Sequence, residues 1–293
     1  MTPDTSAVPT SPEARAYQAE CDDELRAARA ALAELEREAP PHAVATVLEP
    51  LNHLLMRIDR VLDLAGFRRD VHPDPEVRAV ADSCEQAMQQ VATSLHLSRP
   101  LYEAVRAVDL AGADAATRRW VEHALRDFRR AGVDRDEATR ERVRALQDEL
   151  VRTSQGFSKN IREDVRAIEL DDASELAGLP ADYVAAHPPG PSGRIRITTD
   201  YPDYVPFMTY AESDARRREL YVAYRQRGFP KNLEVLSQLL ARRHELARLL
   251  GYPSWAAYAT EDKMMKSPER AHDFIERVTE LARGRARARS RAR

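Results

Sequence analysis

The longest periodic run of apolar residues in this chain lies between residues 136 and 168. Its apolar side chains recur mostly three or four positions apart: Val143, Leu146, Leu150, Phe157, Ile161, Val165 and Ile168. This spacing places them on one face of an α-helix, and charged residues fill the opposite face. The sequence therefore predicts a long amphipathic helix that packs along one side.

The composition also favours helices over sheet. The chain of 293 residues is rich in Ala, Leu, Arg and Glu, whereas Gly and β-branched residues are scarce. The abundant types are strong helix formers. Because 43% of the residues are hydrophobic, the chain can build a sizeable core. We therefore expect a mainly α, multi-helix fold.

Proline, glycine and charge divide the chain into five segments. We expect a disordered N-terminus, a helical region, a Pro-rich connection, a second helical region and an Arg-rich tail, at residues 1–12, 13–168, 169–212, 213–282 and 283–293. Within the connection, RIRITT (194–199) alternates as a strand does. It predicts one short β-hairpin near 194–210. The last helix is expected to end near Ala282.

The stretch RRHELARLLGY (242–252) raises the question of a zinc site. In H-E-x-x-H, two His side chains one helical turn apart bind the metal and the Glu polarises a water. Here Arg248 takes the place of the second His, and a guanidinium cannot ligate zinc because it only donates. His244 and Glu245 fall on the borders of the apolar arc of this helix, with Glu245 able to meet Arg248. We expect a packed helix without a metal.

No other pattern identifies a functional residue. The glycines form neither a dinucleotide-binding nor a phosphate-loop motif. Carboxylate pairs such as Asp22-Asp23 and Asp171-Asp172 are typical of solvated helices and turns. Tyr201, Tyr204 and Tyr210 flank the expected hairpin and either line a groove or pack against helices. The sequence predicts no catalytic, cofactor-binding or metal-binding residue in this chain.

The cysteines and the N-terminus bear on location. Cys21 and Cys84 are far apart and form no C-x-x-C, so neither a metal knuckle nor a redox pair is expected, and a reducing compartment suits them. The start MTPDTSAVPTSPEARAY lacks the features of a signal peptide, and no segment approaches the roughly 18 apolar residues of a membrane span. We expect a soluble, cytoplasmic protein without a membrane partner.

Charge is unevenly distributed along the chain. The whole chain has a formal charge of −3, and its last eleven residues, RGRARARSRAR, contribute six arginines and no acid, which leaves −9 on residues 1–282. A body of that sign repels nucleic acid. We expect no nucleic-acid partner, and a role of the tail as an anchor to nucleic acid or to an anionic surface is a weaker alternative.

Several motifs in order resemble the zinc metallopeptidases of the thimet oligopeptidase, neurolysin and oligopeptidase A family. They are VHPDPEVRAVADSCEQAM (71–88), LYEAV (101–105), RDFRRAG (126–132), QGFSKNI (155–161), ELAGLP (175–180), RRRELY (216–221) and RRHELARLLGY (242–252). The resemblance covers residues 45 to 282.

This resemblance implies a mainly α-helical fold with a deep channel between two halves, which admits short peptides. It also implies hydrolysis of those peptides at one zinc ion, held by an H-E-x-x-H helix in the second half. This sequence ends before any position that matches those residues, so no zinc ligand carries over. The helix RRHELARLLGY is structural in the family, in agreement with the argument from Arg248.

Two readings of function follow. In the first, the chain is the N-terminal half of a zinc-dependent oligopeptidase whose gene has been truncated or frameshifted, with the Arg-rich tail as the scar. It would be inactive alone and bind no zinc, and its partners would be short peptides and a missing C-terminal catalytic half. In the second, it is a non-catalytic helical module that binds peptides or a protein partner.

Overall fold

The computed structural model describes residues 9–291, with side chains up to residue 288. Over this range the chain is mainly helical, as expected. The helices are α1 (Pro12–Leu35), α2 (Glu49–Val71), α3 (Pro75–His96), α4 (Arg99–Arg106), α5 (Ala115–Ala131), α6 (Glu137–Glu163), α7 (Ala181–Ala186), α8 (Tyr201–Tyr210), α9 (Asp214–Arg225), α10 (Lys231–Leu249), α11 (Trp255–Glu261) and α12 (Pro268–Arg291). The strands are β1 (Ala167–Leu170) and β2 (Ile195–Thr198). None of the helices in this range is long and apolar enough to cross a membrane.

The chain forms two compact units. The first contains the residues up to Val151 together with the segment from Leu240 onward, and the second is Arg152–Leu239. The chain leaves the first unit within α6 and returns to it within α10.

Helices α1, α2 and α3 build the main core of the first unit. Leu51 and Leu54 of α2 and Met88 of α3 are almost completely buried. On α1 the buried positions recur at three- and four-residue steps: Tyr17, Cys21, Leu25, Ala28, Leu32 and Leu35. Burying each Leu contributes about 2 kcal/mol, so these stripes hold the three helices together.

Local sequence signals set the ends of these helices. The Ser11 side chain accepts from the backbone N–H of Ala14 at the start of α1, with Pro at the first helical position. Asp74 caps α3 in the same way, through the N–H of Glu76 at 2.8 Å. The N-terminal segment 1–12 was expected to be disordered, and residues 1–8 of it lie outside the described residues. In the described part, the backbone N–H groups of Thr10 and Ser11 donate to the Glu76 carboxylate.

The pairing of the two cysteines was not predicted from the sequence, which favoured a reducing compartment. Cys21 of α1 and Cys84 of α3 form a disulfide across a sequence separation of 63 residues. The bond forms because the buried stripes of the two helices face each other, and both cysteines lie in those stripes. Such bonds are rare in the cytosol, and the cytoplasmic location stays a prediction.

The small sheet is also placed differently from the predicted hairpin. Strand β2 lies where RIRITT predicts it, but its antiparallel partner is β1, with Ile168 opposite Ile197. Residues 201–210 form α8 instead of a second strand. Asp200 lies just before that helix with extended backbone and Pro202 occupies its first turn, and both favour a helix start.

The core of the second unit lies around this sheet. Ile195 and Ile197 of β2 and Leu170 of β1 are buried, and so are Phe207 of α8 and Leu220 of α9. The alternation along β2 points its isoleucines towards these helices and its Arg196 to solvent.

The last helix extends further than expected. Helix α12 continues to Arg291 instead of ending near Ala282. Alternating Arg and Ala carry no apolar stripe, but both residues rank among the best helix formers, so propensity alone continues the helix.

We predict that Cys84→Ser lowers the free energy of unfolding. The disulfide closes a loop across a separation of 63 residues. In the chain-entropy account, removing such a cross-link lowers the free energy of unfolding by about 4 kcal/mol, because the unfolded chain gains conformational entropy. Urea unfolding monitored by circular dichroism measures the loss, with reduced wild-type protein as the matched control. If oxidised wild type and Cys84→Ser unfolded at the same urea concentration, the disulfide between Cys21 and Cys84 would be contradicted.

Candidate functional site

A partly buried carboxylate joins α8 to the sheet in the second unit. Asp203 lies in the first turn of α8, and its Oδ2 accepts from the backbone N of Thr198 at 3.0 Å and from the Thr198 hydroxyl at 2.5 Å. Its backbone carbonyl accepts from the Tyr183 hydroxyl at 2.9 Å. Burial opposes ionisation of Asp203, but the bonds from Thr198 and His187 prevail and lower its pKa.

The neighbouring His187 takes part in the same contact between α8 and its surroundings. The Nε2 of His187 lies 3.1 Å from Oδ1 of Asp203, and its Nδ1 lies 2.7 Å from the carbonyl of Tyr183. The ring also stacks on Tyr183 at 4.2 Å between centroids. Burial, with a smaller contribution from Asp203, raises the pKa of Tyr183. Because both ring nitrogens face protein acceptors, His187 positions α7 against α8 and is not directed at a ligand.

A glycine fixes the other end of α8. Gly178 has a φ of +86°, and a Cβ at this position would lie 2.3 Å from the carbonyl oxygen of Tyr210. Only glycine allows this close approach. The backbone N of Glu212 then donates to the carbonyl of Ala177 at 3.0 Å. The ELAGLP motif therefore holds α8 at its C-terminal end.

Between these two fixed ends, α8 and α9 display a surface of aromatic rings and cations. We call it the tyrosine–arginine surface and define it as Tyr201, Tyr204, Tyr221, Tyr224, Arg225 and Arg227. The rings of Tyr204 and Tyr224 stack at 3.9 Å between centroids, and Tyr201 meets Tyr224 edge-on at 6.4 Å. Tyr201, Tyr204 and Tyr224 thus form one continuous aromatic face.

The two arginines lie over these rings. The guanidinium of Arg227 is 4.0 Å from the centroid of Tyr224, and that of Arg225 is 5.1 Å from Tyr221. Arg225 and Tyr201 are exposed, the latter at 67%. A hydrogen bond with Tyr224 raises the pKa of Tyr201, and burial raises that of Tyr204, so both phenols are neutral at pH 7.

This arrangement suits a ligand with apolar groups and a negative charge. Aromatic faces bind side chains and peptide planes by area and by stacking. A guanidinium held over a ring binds a carboxylate through paired hydrogen bonds. A short peptide with a free C-terminal carboxylate offers both features.

The sequence identified part of this surface. Tyr201 and Tyr204 come together through Tyr224, whereas Tyr210 is 54% exposed at the far end of α8. The residues of α9 were missed. Their signal is the interleaving of aromatic and basic residues in YVAYRQR (221–227), which is typical of a binding surface.

The stretch RRHELARLLGY forms the end of α10 and joins the first unit's charged network. Glu245 pairs with Arg142 of α6 at 2.7 Å, so the expected contact with Arg248 is replaced by an interhelical one. Arg142 also approaches Glu149, and Glu149 pairs with Arg242 at 2.8 Å. The bond from Arg242 lowers the pKa of Glu149, and Glu245 raises that of Arg142.

These residues do not fit a zinc ion. His244 and Arg248 are exposed on α10, and the carboxylate of Glu245 is occupied by Arg142. Within residues 9–288 no three His, Cys, Asp or Glu side chains are grouped closely enough to hold a metal.

Two family profiles match the sequence. The profile described as Neurolysin/Thimet oligopeptidase, N-terminal domain, matches residues 22–140. The profile described as Peptidase family M3 matches residues 207–292. Together they cover the second half of α1, helices α2 to α5, and the segment from the end of α8 to α12.

Similar proteins carry related names. Oligopeptidase A of Haemophilus influenzae is 28% identical over 253 residues, which is 80% of this chain and 37% of that protein. Organellar oligopeptidase A of Arabidopsis thaliana is 29% identical over 274 residues, 87% of this chain and 34% of its own length. Oligopeptidase A of Escherichia coli is 27% identical over 266 residues, 84% of this chain and 39% of its own length. This chain therefore spans well under half the length of the relatives it matches.

The helical scaffold and the two profile matches define the class as a peptidase-related protein. The chain belongs to peptidase family M3, of the thimet oligopeptidase and neurolysin type, and corresponds to the N-terminal portion of its members. The resemblance drawn from the sequence motifs is confirmed.

We predict that Asp203→Asn destabilises the protein by about 2 kcal/mol at pH 7, because the Thr198 and His187 contacts lose a charged acceptor. The folded-state pKa of Asp203 is lowered, so its contribution is present above the unfolded pKa of about 4 and is lost as the pH falls through the folded value. Urea unfolding at pH 7 and below pH 4 measures both. Asp200→Asn, at an exposed neighbouring residue, is the matched control. If both variants lost the same free energy of unfolding, the stabilising role of the Asp203 contacts would be contradicted.

Proposed function

We propose that this chain supplies the N-terminal part of a zinc-dependent metalloendopeptidase that hydrolyses short peptides. The observation that carries the proposal is the match of both family profiles, in order, across the chain. The relatives named oligopeptidase A support the same activity.

The role of this chain within such an enzyme is to bind peptides. The tyrosine–arginine surface offers apolar rings for side chains and a guanidinium for a carboxylate. His244, Glu245 and Arg248 do not fit zinc, so we propose that the H-E-x-x-H helix belongs to residues outside this sequence. On this proposal the chain alone is inactive, and a complementary catalytic half is its partner.

A second candidate is a non-catalytic helical module that binds peptides or a protein partner. The observation that favours it is that the tyrosine–arginine surface is built from α8, α9 and Arg227 just beyond α9, so all six of its residues belong to this chain. Peptide binding is common to both candidates, and cleavage separates them once a complementary half is added.

We predict that the purified chain holds no stoichiometric zinc and does not cleave a quenched fluorescent peptide, with or without added zinc. Native mass spectrometry measures the metal content, and fluorescence measures cleavage. One zinc per chain with chelator-sensitive cleavage would contradict the proposal. His244→Ala would then test whether that histidine is the ligand.

We further predict that the chain binds a fluorescent peptide carrying a free C-terminal carboxylate and that Arg225→Gln weakens this binding about fivefold, because one charge-assisted contact worth about 1 kcal/mol is lost. Fluorescence anisotropy measures the affinity. Arg218→Gln, an exposed arginine of the same helix, is the matched control and should bind as wild type does.

Two comparisons make this test specific. A peptide with an amidated C-terminus should bind wild type as weakly as the free acid binds Arg225→Gln. A single-stranded oligonucleotide should bind more weakly than the peptide, because residues 1–282 carry a net charge of −9. Equal affinity of Arg218→Gln and Arg225→Gln would exclude the tyrosine–arginine surface as the peptide site.

A further inference from the structure

A cavity of about 280 Å³ opens in the first unit, between the start of α6 and the corner at which α4 follows α3. Its wall also includes Glu36, which lies directly after the end of α1. All residues that line it lie between positions 36 and 144, within the first unit. The volume is just below the range of about 300 to 1,000 Å³ that is typical of sites for drug-sized molecules. The cavity is therefore of a size that suits a smaller ligand.

Charged side chains of both signs line this cavity in equal number. The three acids and three bases are Glu36, Glu137, Glu141, Arg99, Arg140 and Arg144. A purely anionic or purely cationic ligand would meet like charges at short range, and like charges repel. A ligand with one positive and one negative group can meet an opposite charge at each end and leaves the balance unchanged. The lining therefore favours a zwitterion.

Arg140 is available to bind the negative group of such a ligand. Its side chain is partly buried and makes no ion pair or hydrogen bond with residues 9–288. Glu141 and Arg144, three positions apart on α6, pair with each other, whereas Glu137 and Arg140 at the same spacing do not. The guanidinium of Arg99 is occupied by backbone carbonyls of the segment between α5 and α6. Since a guanidinium binds a carboxylate through paired hydrogen bonds, Arg140 is suited to that group.

Glu36 is held in place to accept the positive group. Its Oε1 accepts from the hydroxyl of the buried Ser98 at 2.7 Å. Ser98 is itself fixed, because its Oγ accepts from the backbone N of Leu101 at 3.3 Å at the start of α4. The other carboxylate oxygen of Glu36 has no partner among the described residues. Glu36 and Arg140 line the same cavity from different helices, so one small ligand can contact both.

We propose that this cavity binds a free α-amino acid with an apolar side chain. Arg140 binds its carboxylate, Glu36 accepts from its ammonium group, and its side chain contacts Leu97 and Pro100, which also line the cavity. The proposal goes beyond the peptide-binding function and is independent of it, because the tyrosine–arginine surface belongs to the second unit. Either one can fail without the other.

Isothermal titration calorimetry of the full chain with L-leucine is the first test, and we expect saturable binding. Leucinamide lacks the carboxylate and N-acetyl-leucine lacks the ammonium group, so each should bind about tenfold more weakly. The dipeptide leucyl-leucine places its two charges about 3.4 Å further apart and should also bind more weakly than leucine. Absence of leucine binding would overturn the proposal. Equal or tighter binding of leucinamide or N-acetyl-leucine would overturn the assignment to a zwitterion, and tighter binding of the dipeptide would overturn the assignment to a single amino acid.

An arginine variant locates the carboxylate contact. Arg140→Gln should weaken leucine binding about tenfold and leave the weaker binding of leucinamide unchanged, because leucinamide has no carboxylate. Its matched control is Arg152→Gln, at an exposed arginine of α6 outside the cavity, which should bind leucine as wild type does. An unchanged circular dichroism spectrum shows that both variants are folded. Equal leucine affinity of the two variants would overturn the assignment to this cavity.

A glutamate variant locates the ammonium contact. Glu36→Gln removes the charge but keeps an oxygen that can accept from Ser98, so the fold of this corner is retained. It should weaken leucine binding about tenfold and leave the binding of N-acetyl-leucine unchanged. Glu34→Gln, at an exposed glutamate of α1 outside the cavity, is the matched control and should bind leucine as wild type does. If Glu36→Gln weakened leucine and N-acetyl-leucine equally, the role of Glu36 as the ammonium acceptor would be overturned.

Discussion

The packing of α1, α2 and α3 through their apolar stripes is the constraint on which the first unit depends. Each helix carries an apolar face and must bury it, since helical propensity alone holds such segments only weakly. Leu51, Leu54 and Met88 show this burial at its most complete. Where a neighbour is lacking, as on α12, the same periodicity produces an exposed surface. The buried core and the exposed apolar face thus arise from one sequence pattern.

The second unit depends on a polar interaction instead. Its sheet has only two strands, and such a pair is marginally stable without further packing. Asp203 connects β2 to α8 through Thr198, and Gly178 allows the other end of α8 to be held closely. These contacts fix the helix that presents Tyr201 and Tyr204. The position of the tyrosine–arginine surface therefore depends on the partly buried polar bonds beneath it.

Periodicity and propensity were sufficient to predict much of the fold. They gave the long helix over 136–168, found as α6, and the strand at 194–199, found as β2. They placed Val165 and Ile168 on the helix, because a step of three residues continues the helical spacing. In the structure α6 ends at Glu163 and Ile168 lies in β1, and the pairing of β1 with β2, which is distant in the sequence, makes this segment a strand.

Contacts between residues that are far apart in the sequence could not be predicted either, because local spacing does not encode them. The partner of Glu245 is Arg142 on another helix, and no local spacing encodes that choice over Arg248. Of the tyrosine–arginine surface, the residues near the expected hairpin were visible, but the contribution of α9 required the fold. The disulfide was missed because two single cysteines 63 positions apart carry no periodic signal.

That disulfide also changes how the chain responds to cleavage. The whole of α2 and the loops around it lie between Cys21 and Cys84. A protease cut anywhere in this segment leaves two fragments that stay covalently joined across α1 and α3. On a denaturing gel such a nicked molecule migrates as one species until a reductant separates it. A chain that looks intact without reductant can thus already be cut within its main core.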